Sequence, residues 1–448
     1  MAELPSKLWD EFHNRVKITK EDNELYKNKY NEIAKVLNKG FRGIGSESNK
    51  LAFGSYGRKT AVRGISDLDM LYLLPDNLLA SYNASSTGPK KLLEDTAKFL
   101  RLRYSKTYVR VNRCVVVVIF GNIWVEVQPA FKENDYFLYP DTKSSCFKRS
   151  YAQKETEAIT NSSNDFKELI RPLCRMIRAW RNNKGISSLS GLLIDTFVYR
   201  FLRDNHELTM RPKEELLKGF FDYLAGQENE SYQALGSKAL IKSKGGFKRA
   251  AERTSNEIGE ALQENDIEKC LKIWRGIFGR KFPNIDFYRS ITGSKNIVLD
   301  SVRVSDEQFI EEFRDFEIDI KYPLEIKCVV EKKAFRPKSF EKLVEIGKLF
   351  RGIKASGKLI FTVPPKMKSK FPDETKLYWK ILNRGAEAIK RKCTRGKILE
   401  DEGGWSRQES ADFMGEHFVE CYAVLGNRVI ARARFDVPII NNAEIESP

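Results

Sequence analysis

The stretch FGSYGRKTAVRGISDLDMLYLL at residues 53–74 constrains this chain more than any other. Gly54-Ser55 is followed, eleven residues on, by Asp67-Leu68-Asp69 at the head of an apolar run that stops at Pro75-Asp76. On a strand, residues two apart share a face, so Asp67 and Asp69 are expected to point one way while Leu68 and Met70 enter a core. Two ionised carboxylates side by side repel unless a divalent cation lies between them or one is protonated. Hard oxygen donors in that arrangement favour Mg²⁺, with Mn²⁺ as the alternative. The Gly-Ser turn upstream suits phosphate oxygens, which its backbone N–H groups and hydroxyl can face. Arg58, Lys59 and Arg63 lie in the connection and could neutralise phosphate charge.

Phosphoryl transfer with two metal ions needs a third acid on a neighbouring strand. IWVEVQPAF supplies it: Val125 and Val127 face one side, Glu126 and Gln128 the other, after the hairpin signal Gly121-Asn122. Glu126 is the candidate base for a nucleophilic hydroxyl, with Asp135 as runner-up.

Composition narrows the remaining classes. Seven cysteines without a CxxC pair argue against a disulfide framework or a Cys-rich zinc site and for a reducing cytoplasm. Three histidines, none within four residues of another, exclude an HExxH hydrolase and leave few bases for a Ser-His-Asp device. No run of about 18 apolar residues marks a membrane span, and the start lacks a secretory layout. Lys+Arg exceed Asp+Glu by 78 to 61, a net +17 that attracts polyanions.

The pattern predicts an α+β chain. Residues 6–40 read as a long helix or helix pair ending at Gly40, about 40–150 as a small mixed sheet with helices, and about 154–283 as a helical lobe, giving a first region of 1–285. Residues 286–300 read as a linker and 301–440 as a smaller α+β domain with strands at 316–330, 357–363 and around the turn Gly426-Asn427.

Gly-Ser, Asp-x-Asp and a later acidic strand resemble the DNA polymerase β-like nucleotidyltransferases. The 53–74 stretch narrows the likeness to bacterial enzymes related to cyclic GMP-AMP synthase and oligoadenylate synthase, the CD-NTases or SMODS nucleotidyltransferases. EVQPAF…YFLYPDT, RMIRAWRNNKGISSLSGLLIDTFVYRFL and CLKIWRGIFGRKFP resemble further segments of that family in order. The resemblance implies metal ligation by Asp67, Asp69 and Glu126 with two Mg²⁺, a nucleotide turn at Gly54 and Ser55, and triphosphate contacts from Arg175, Arg178 and Ser190. It implies NTP substrates, ATP among them, joined into a cyclic di- or trinucleotide that acts on a downstream effector in antiphage (CBASS-type) signalling in the cytoplasm, away from any membrane. The family's Gly-Trp loop with Asn-Pro is missing between Asp141 and Ile159. Base stacking would then fall to Phe147 or Tyr151.

The segments KLYWKILNRGAEAIKRKCTRGKI and GEHFVECYAVLGNRVIARARFDVPI resemble the adenylyl/guanylyl and SMODS C-terminal sensor domain. Residues 363–397 hold 11 Lys/Arg against 3 Asp/Glu. The resemblance implies a nucleotide or nucleic-acid activator there, with Trp379, Arg384, Arg395 and Arg434 as contacts; the competing reading makes Trp379 a core residue. Two other functions fit the same residues: nucleotide addition to an RNA or protein acceptor, and a catalytically idle sensor.

Overall fold

The computed structural model describes residues 4–64, 67–120, 123–166, 169–243, 245–293, 308–311, 313–314, 316–331, 338–339, 353–354, 357–383, 390–391, 393, 395–411 and 415–440. The chain divides into two compact units, Met1–Ser294 and Lys295–Pro448.

The N-terminal segment is a helix pair, α1 (Ser6–Val16) and α2 (Lys20–Arg42). The break comes at Thr19, whose side chain accepts from Asp22 N while Asp22 caps the Thr19 amide, a reciprocal capping box that restarts the helix. Gly40, the expected stop, lies inside α2, where a Cβ would sit 2.5 Å from the Phe99 ring. The helix instead ends at Gly43, in the left-handed region at φ 69°.

The remaining elements of the first unit run in this order: β1 (Lys50–Ala52), α3 (Gly54–Gly57), β2 (Asp67–Leu73), α4 (Leu79–Asn83), α5 (Gly88–Arg103), β3 (Tyr108–Val111), β4 (Val116–Phe120), β5 (Ile123–Lys132), β6 (Phe137–Asp141), β7 (Cys146–Ser150), α6 (Ala152–Asp165), α7 (Ile170–Asn183), α8 (Gly191–Asp204), α9 (Lys213–Ala225), β8 (Ser231–Gln233), β9 (Leu240–Lys242), α10 (Lys248–Gln263), α11 (Ile267–Phe278) and α12 (Ile285–Thr292). Seven strands form one mixed sheet ordered β1-β2-β5-β4-β3, with β6 joined to β5 and β7 to β6. Among the described residues its one parallel ladder is β2 with β5. Phe120 pairs with Ile123 across the antiparallel β4–β5 ladder; the connecting Gly121-Asn122 lies outside the described residues.

Two cores result. Leu68, Met70, Val116, Val118, Val125 and Val127 are buried beneath α2 and α5, while the helical lobe buries Trp9, Phe12, Trp274, Phe278 and Phe282 around α1 and α11. Trp9 and Trp274 meet edge-on at 5.0 Å. One boundary needs correction. Residues 286–292, expected within a linker, belong to α12: the Asn284 side chain accepts from Phe287 N, and Ile285, Phe287, Tyr288 and Ile291 pack against the lobe's core. A short amphipathic helix among polar letters gave too few turns for periodicity to register.

The second unit is built on two sheets. β10 (Glu317–Ile318), β19 (Arg428–Ile440), β18 (Gly415–Leu425), β15 (Lys376–Leu382) and β16 (Arg395–Glu400) follow one another across the first, with β13 (Ile353–Lys354) beside β19. The second runs β12 (Lys338–Ser339), β11 (Lys327–Glu331), β14 (Gly357–Thr362), β17 (Ser406–Ala411).

Candidate active site

The parallel ladder of β2 and β5 sets Asp69 opposite Glu126. Neighbouring strands run about 4.8 Å apart, so two residues in register carry their side chains out on the same face at near-contact distance. The strands are held in that register from below, because Leu68, Met70, Val125 and Val127 alternate with the acids and are buried. Asp67 opens β2, two residues ahead of Asp69 and opposite Trp124. Its side chain lies outside the described atoms.

The glycine-serine turn lies directly against Asp69. Gly54 has φ +62°, and a Cβ on it would fall 1.7 Å from Asp69 Oδ2. Only glycine meets both demands, the left-handed backbone and the missing atom. Phe53 N donates to Asp69 O at 3.0 Å, and Tyr30 Oη donates to the same carbonyl at 3.0 Å. The turn is thereby fastened to the acid-bearing strand. Hard carboxylate oxygens in register, under a turn that leaves the Asp69 carboxylate uncovered by any Cβ, fit a divalent cation. Among the described residues no group of three His, Cys, Asp or Glu side chains clusters as a metal site, and the Asp67 side chain is not among them.

A buried ionic cluster secures the turn from the other side. Asp195 of α8 is fully buried and accepts from Arg58 Nε at 2.8 Å, Thr60 Oγ1 at 2.9 Å and Arg178 Nη1 at 2.6 Å. Arg58 also reaches Glu155 of α6 at 3.3 Å. Burial alone pushes the Asp195 carboxyl up, but Arg178 and Arg58 outweigh it and hold it at about 2. Glu155 goes the other way: burial raises it, and Arg58 only partly offsets the rise.

This cluster reassigns residues expected to meet phosphate. Arg178 is buried, donating also to Gly191 O at 2.9 Å, so it positions the turn through Asp195. Arg175, also buried, donates to Lys59 O at 2.6 Å. These two arginines of α7 are thus turned inward, where the Lys59 carbonyl and Asp195 satisfy their charges. Arg58 likewise ties the turn to α8 and α6 instead of facing phosphate. Ser190 stays exposed at the cap of α8, where Oγ accepts from Leu193 N at 3.2 Å and keeps its own proton to donate. Arg63 is half exposed and within 3.6 Å of Asp22.

The other candidates sit elsewhere. Asp135 lies exposed beyond β5, 3.5 Å from Lys154. Phe147 packs edge-on against Phe131 at 5.8 Å and Tyr151 against Tyr136 at 6.0 Å. In the second unit Trp379 is buried and donates Nε1 to Asp401 Oδ1 at 2.8 Å, so it is a core residue and not an exposed contact. Arg395 pairs with Glu409, and Arg434 lies 3.8 Å over the Phe418 ring. Arg384 falls outside the described residues. Sequence reasoning missed Asp195, although a single acid inside the apolar run Leu192–Val198 signals a buried charge that needs partners.

Asp195→Ala is expected to strand two buried guanidinium groups and cost about 3–5 kcal/mol, read from the urea midpoint. The wild-type cluster contributes stability above the carboxylate's ordinary pKa near 3.8 and loses it as pH falls toward about 2, because the folded pKa is depressed. Asp195→Asn should flatten that acid limb of the stability curve.

The mixed sheet, its acid-bearing parallel ladder and the turn across it fit the nucleotidyltransferase core expected from the sequence. Residues 4–163 match the model of the Second Messenger Oligonucleotide or Dinucleotide Synthetase domain, and residues 305–440 that of the Adenylyl/Guanylyl and SMODS C-terminal sensor domain. The chain thus carries a synthetase domain of the kind found in the CD-NTase family, followed by the sensor domain. A Bacillus cereus (strain VD146) protein described as a probable cyclic nucleotide synthase is 21% identical over 275 residues, covering 52% of this chain and 82% of that protein. The cyclic AMP-AMP-AMP synthase of an Acinetobacter species is 22% identical over 260 residues, covering 53% and 73%. Among solved structures, E. coli MS115-1 CdnC with ATP aligns at TM-score 0.48 and 15% identity, over 62% of this chain and 98% of that one. Vibrio cholerae DncV, a cyclic AMP-GMP synthase, aligns at 0.48 and 12% over 61% and 94%. The family works with divalent metal ions. No helix among the described residues is long and apolar enough to cross a membrane.

Proposed function

We infer that this chain joins nucleoside triphosphates, ATP among them, into a cyclic di- or trinucleotide second messenger. The observation that carries the reading is Asp69 in register with Glu126 beneath a Gly54 turn that touches the Asp69 carboxylate. The two relatives described as cyclic nucleotide synthases support the choice of product class.

In each round a ribose hydroxyl oxygen bonds to the α-phosphorus of an NTP, the bond to the β-phosphate bridge breaks, and pyrophosphate leaves. Asp67, Asp69 and Glu126 would hold two Mg²⁺ ions, which supply charge neutralisation at the phosphates and acidify the attacking hydroxyl. Glu126 Oε accepts the hydroxyl proton, directly or through water. The Gly54-Ser55 turn sets the triphosphate beside the carboxylates, and Ser190 Oγ donates to a phosphate oxygen. The Arg58–Asp195–Arg178 cluster fixes the turn, so the geometry exists before substrate arrives. In the last round the terminal hydroxyl of the bound linear product attacks the α-phosphorus of its own 5′-triphosphate, releasing pyrophosphate and closing the ring. By family likeness the product acts on an effector protein in CBASS-type defence, and a nucleotide or nucleic acid at the second unit switches synthesis.

Incubating the chain with all four NTPs and Mg²⁺, without acceptor, and analysing the products by mass spectrometry tests this. Phosphatase-resistant cyclic species with stoichiometric pyrophosphate are expected. Incorporation that requires added RNA or protein would overturn the reading in favour of acceptor modification.

A further inference from the structure

Between the two sheets of the second unit lies a cavity of about 250 Å³. Leu359 and Phe361 line it from β14, Glu409 and Ser410 from β17, Ile381 and Asn383 from β15 and the residue after it, and His417, Phe418 and Val419 from β18. Leu359, Phe361, Ile381, Phe418 and Val419 give the lining an apolar and aromatic part. Arg391, Cys393 and Arg395 form a further wall.

That wall is built irregularly. The β15–β16 register shifts between Lys380 and Leu382, a bulge that brings Leu382 opposite Arg395. Arg395 itself has φ +55°, a left-handed conformation unusual for a side-chain-bearing residue, and Gly396 follows at φ +110°. Bulges re-aim side chains, and backbone held in such regions collects where a ligand is bound. Asn383 Nδ2 fastens the wall by donating to Cys393 O at 2.8 Å. Glu409, the one acid in the lining, is engaged by both Arg395 and Arg407, the latter at 2.9 Å. Its charge is thereby answered within the wall, and Arg391 adds a further positive charge at the exposed rim.

We propose that this cavity is the ligand site of the second unit and takes a single nucleotide, its base against Leu359 and Phe361 and its phosphate on Arg391 and Arg395. The proposal rests on reading that unit as a sensor. An apolar floor with convergent cationic groups is complementary to an anion that carries a planar ring. The volume, close to the roughly 300 Å³ at which small-ligand pockets begin, limits the ligand to about one nucleotide unit and excludes a folded nucleic acid. The nucleotide is either free or the end of an oligonucleotide strand; both present the same ring and phosphate. This relocates recognition from Trp379, which is core, to Arg391 within the basic run 363–397.

Cys393, half-buried in the wall, provides a local readout, and exposed Cys146 in the first unit an internal control. The full chain in EDTA, where no transfer runs, is treated with iodoacetamide, and alkylation of each cysteine is followed by mass spectrometry. The additions are AMP, GMP, ATP, a short oligoribonucleotide or inorganic phosphate. At ten times Kd about one site in eleven stays open, so a bound nucleotide slows Cys393 alkylation about tenfold while Cys146 is unaffected. Protection by mononucleotides identifies a free ligand, and protection by the oligoribonucleotide alone identifies a strand end. Arg391→Glu, an exposed substitution checked by an unchanged melting temperature, should remove the protection. Equal protection in Arg391→Glu, protection by phosphate alone, or none from any nucleotide overturns the proposal. Product synthesis measured on the same preparations reports on the catalytic reading separately: a chain that makes product yet shows no protection refutes only this site.

Discussion

Asp69→Asn is expected to cut NTP turnover by at least about 10³-fold while leaving the melting temperature within a few degrees. The substitution keeps the side-chain shape and removes the charge that faces Glu126 across the β2–β5 ladder. Charge stabilisation at the phosphates in such a site is worth several kcal/mol, and each 1.4 kcal/mol is a factor of ten in rate. Asp67→Ala combined with Asp69→Ala should abolish turnover altogether. Asp69 is only half-buried, so the fold does not depend on its charge. Pyrophosphate release at the wild-type rate in the double variant would refute the acid assignment, and an unfolded Asp69→Asn protein would show that the pair serves the sheet instead.

Gly54→Ala should be nearly as damaging, although it adds a single methyl group. The new Cβ would fall 1.7 Å from Asp69 Oδ2 and sit on a backbone at φ +62°. Either the turn lifts away or the Asp69 carboxylate rotates out of register with Glu126. A displacement of about 1 Å at reacting groups costs on the order of 10²-fold in rate, whereas the left-handed alanine costs only about 1 kcal/mol of stability. The expected signature is a collapse of kcat with a modest fall in melting temperature. Gly45→Ala, where a Cβ meets nothing within 4 Å, is the matched control and should leave both unchanged. Equal kinetics for the two variants would mean that the turn does not set the carboxylate.

Both variants act at a place where local letters and three-dimensional closeness agree. Gly54-Ser55 and Asp67-Leu68-Asp69 lie in one short stretch, so their spacing along the chain already limits how far apart they can be, and the alternation of acids with Leu68 and Met70 declares the buried face. Glu126 is 57 residues beyond Asp69, yet its alternation with Val125 and Val127 made its strand legible too. Its register with Asp69 was not legible, because a parallel pairing has no turn to fix it.

The basic helix shows the opposite case. The family resemblance assigns Arg175 and Arg178 to the triphosphate, and the structure gives both guanidinium groups partners inside the protein. Their partners, Lys59 O and Asp195, come from distant elements, and nothing in the spacing of α7 encodes that meeting. Trp379 reversed in the same way: its Asp401 partner lies on the segment after β16 and closes the ring into the core.

The amino-acid order alone therefore determined the strand and turn chemistry, the acidic residues proposed for the site, and the change of character after the helical lobe, since each depends on residues a few positions apart. Tertiary structure alone decided which charges face substrate and which are consumed in the interior. That choice depends on long-range partners whose burial makes pairing obligatory, and burial is a property of the packed chain.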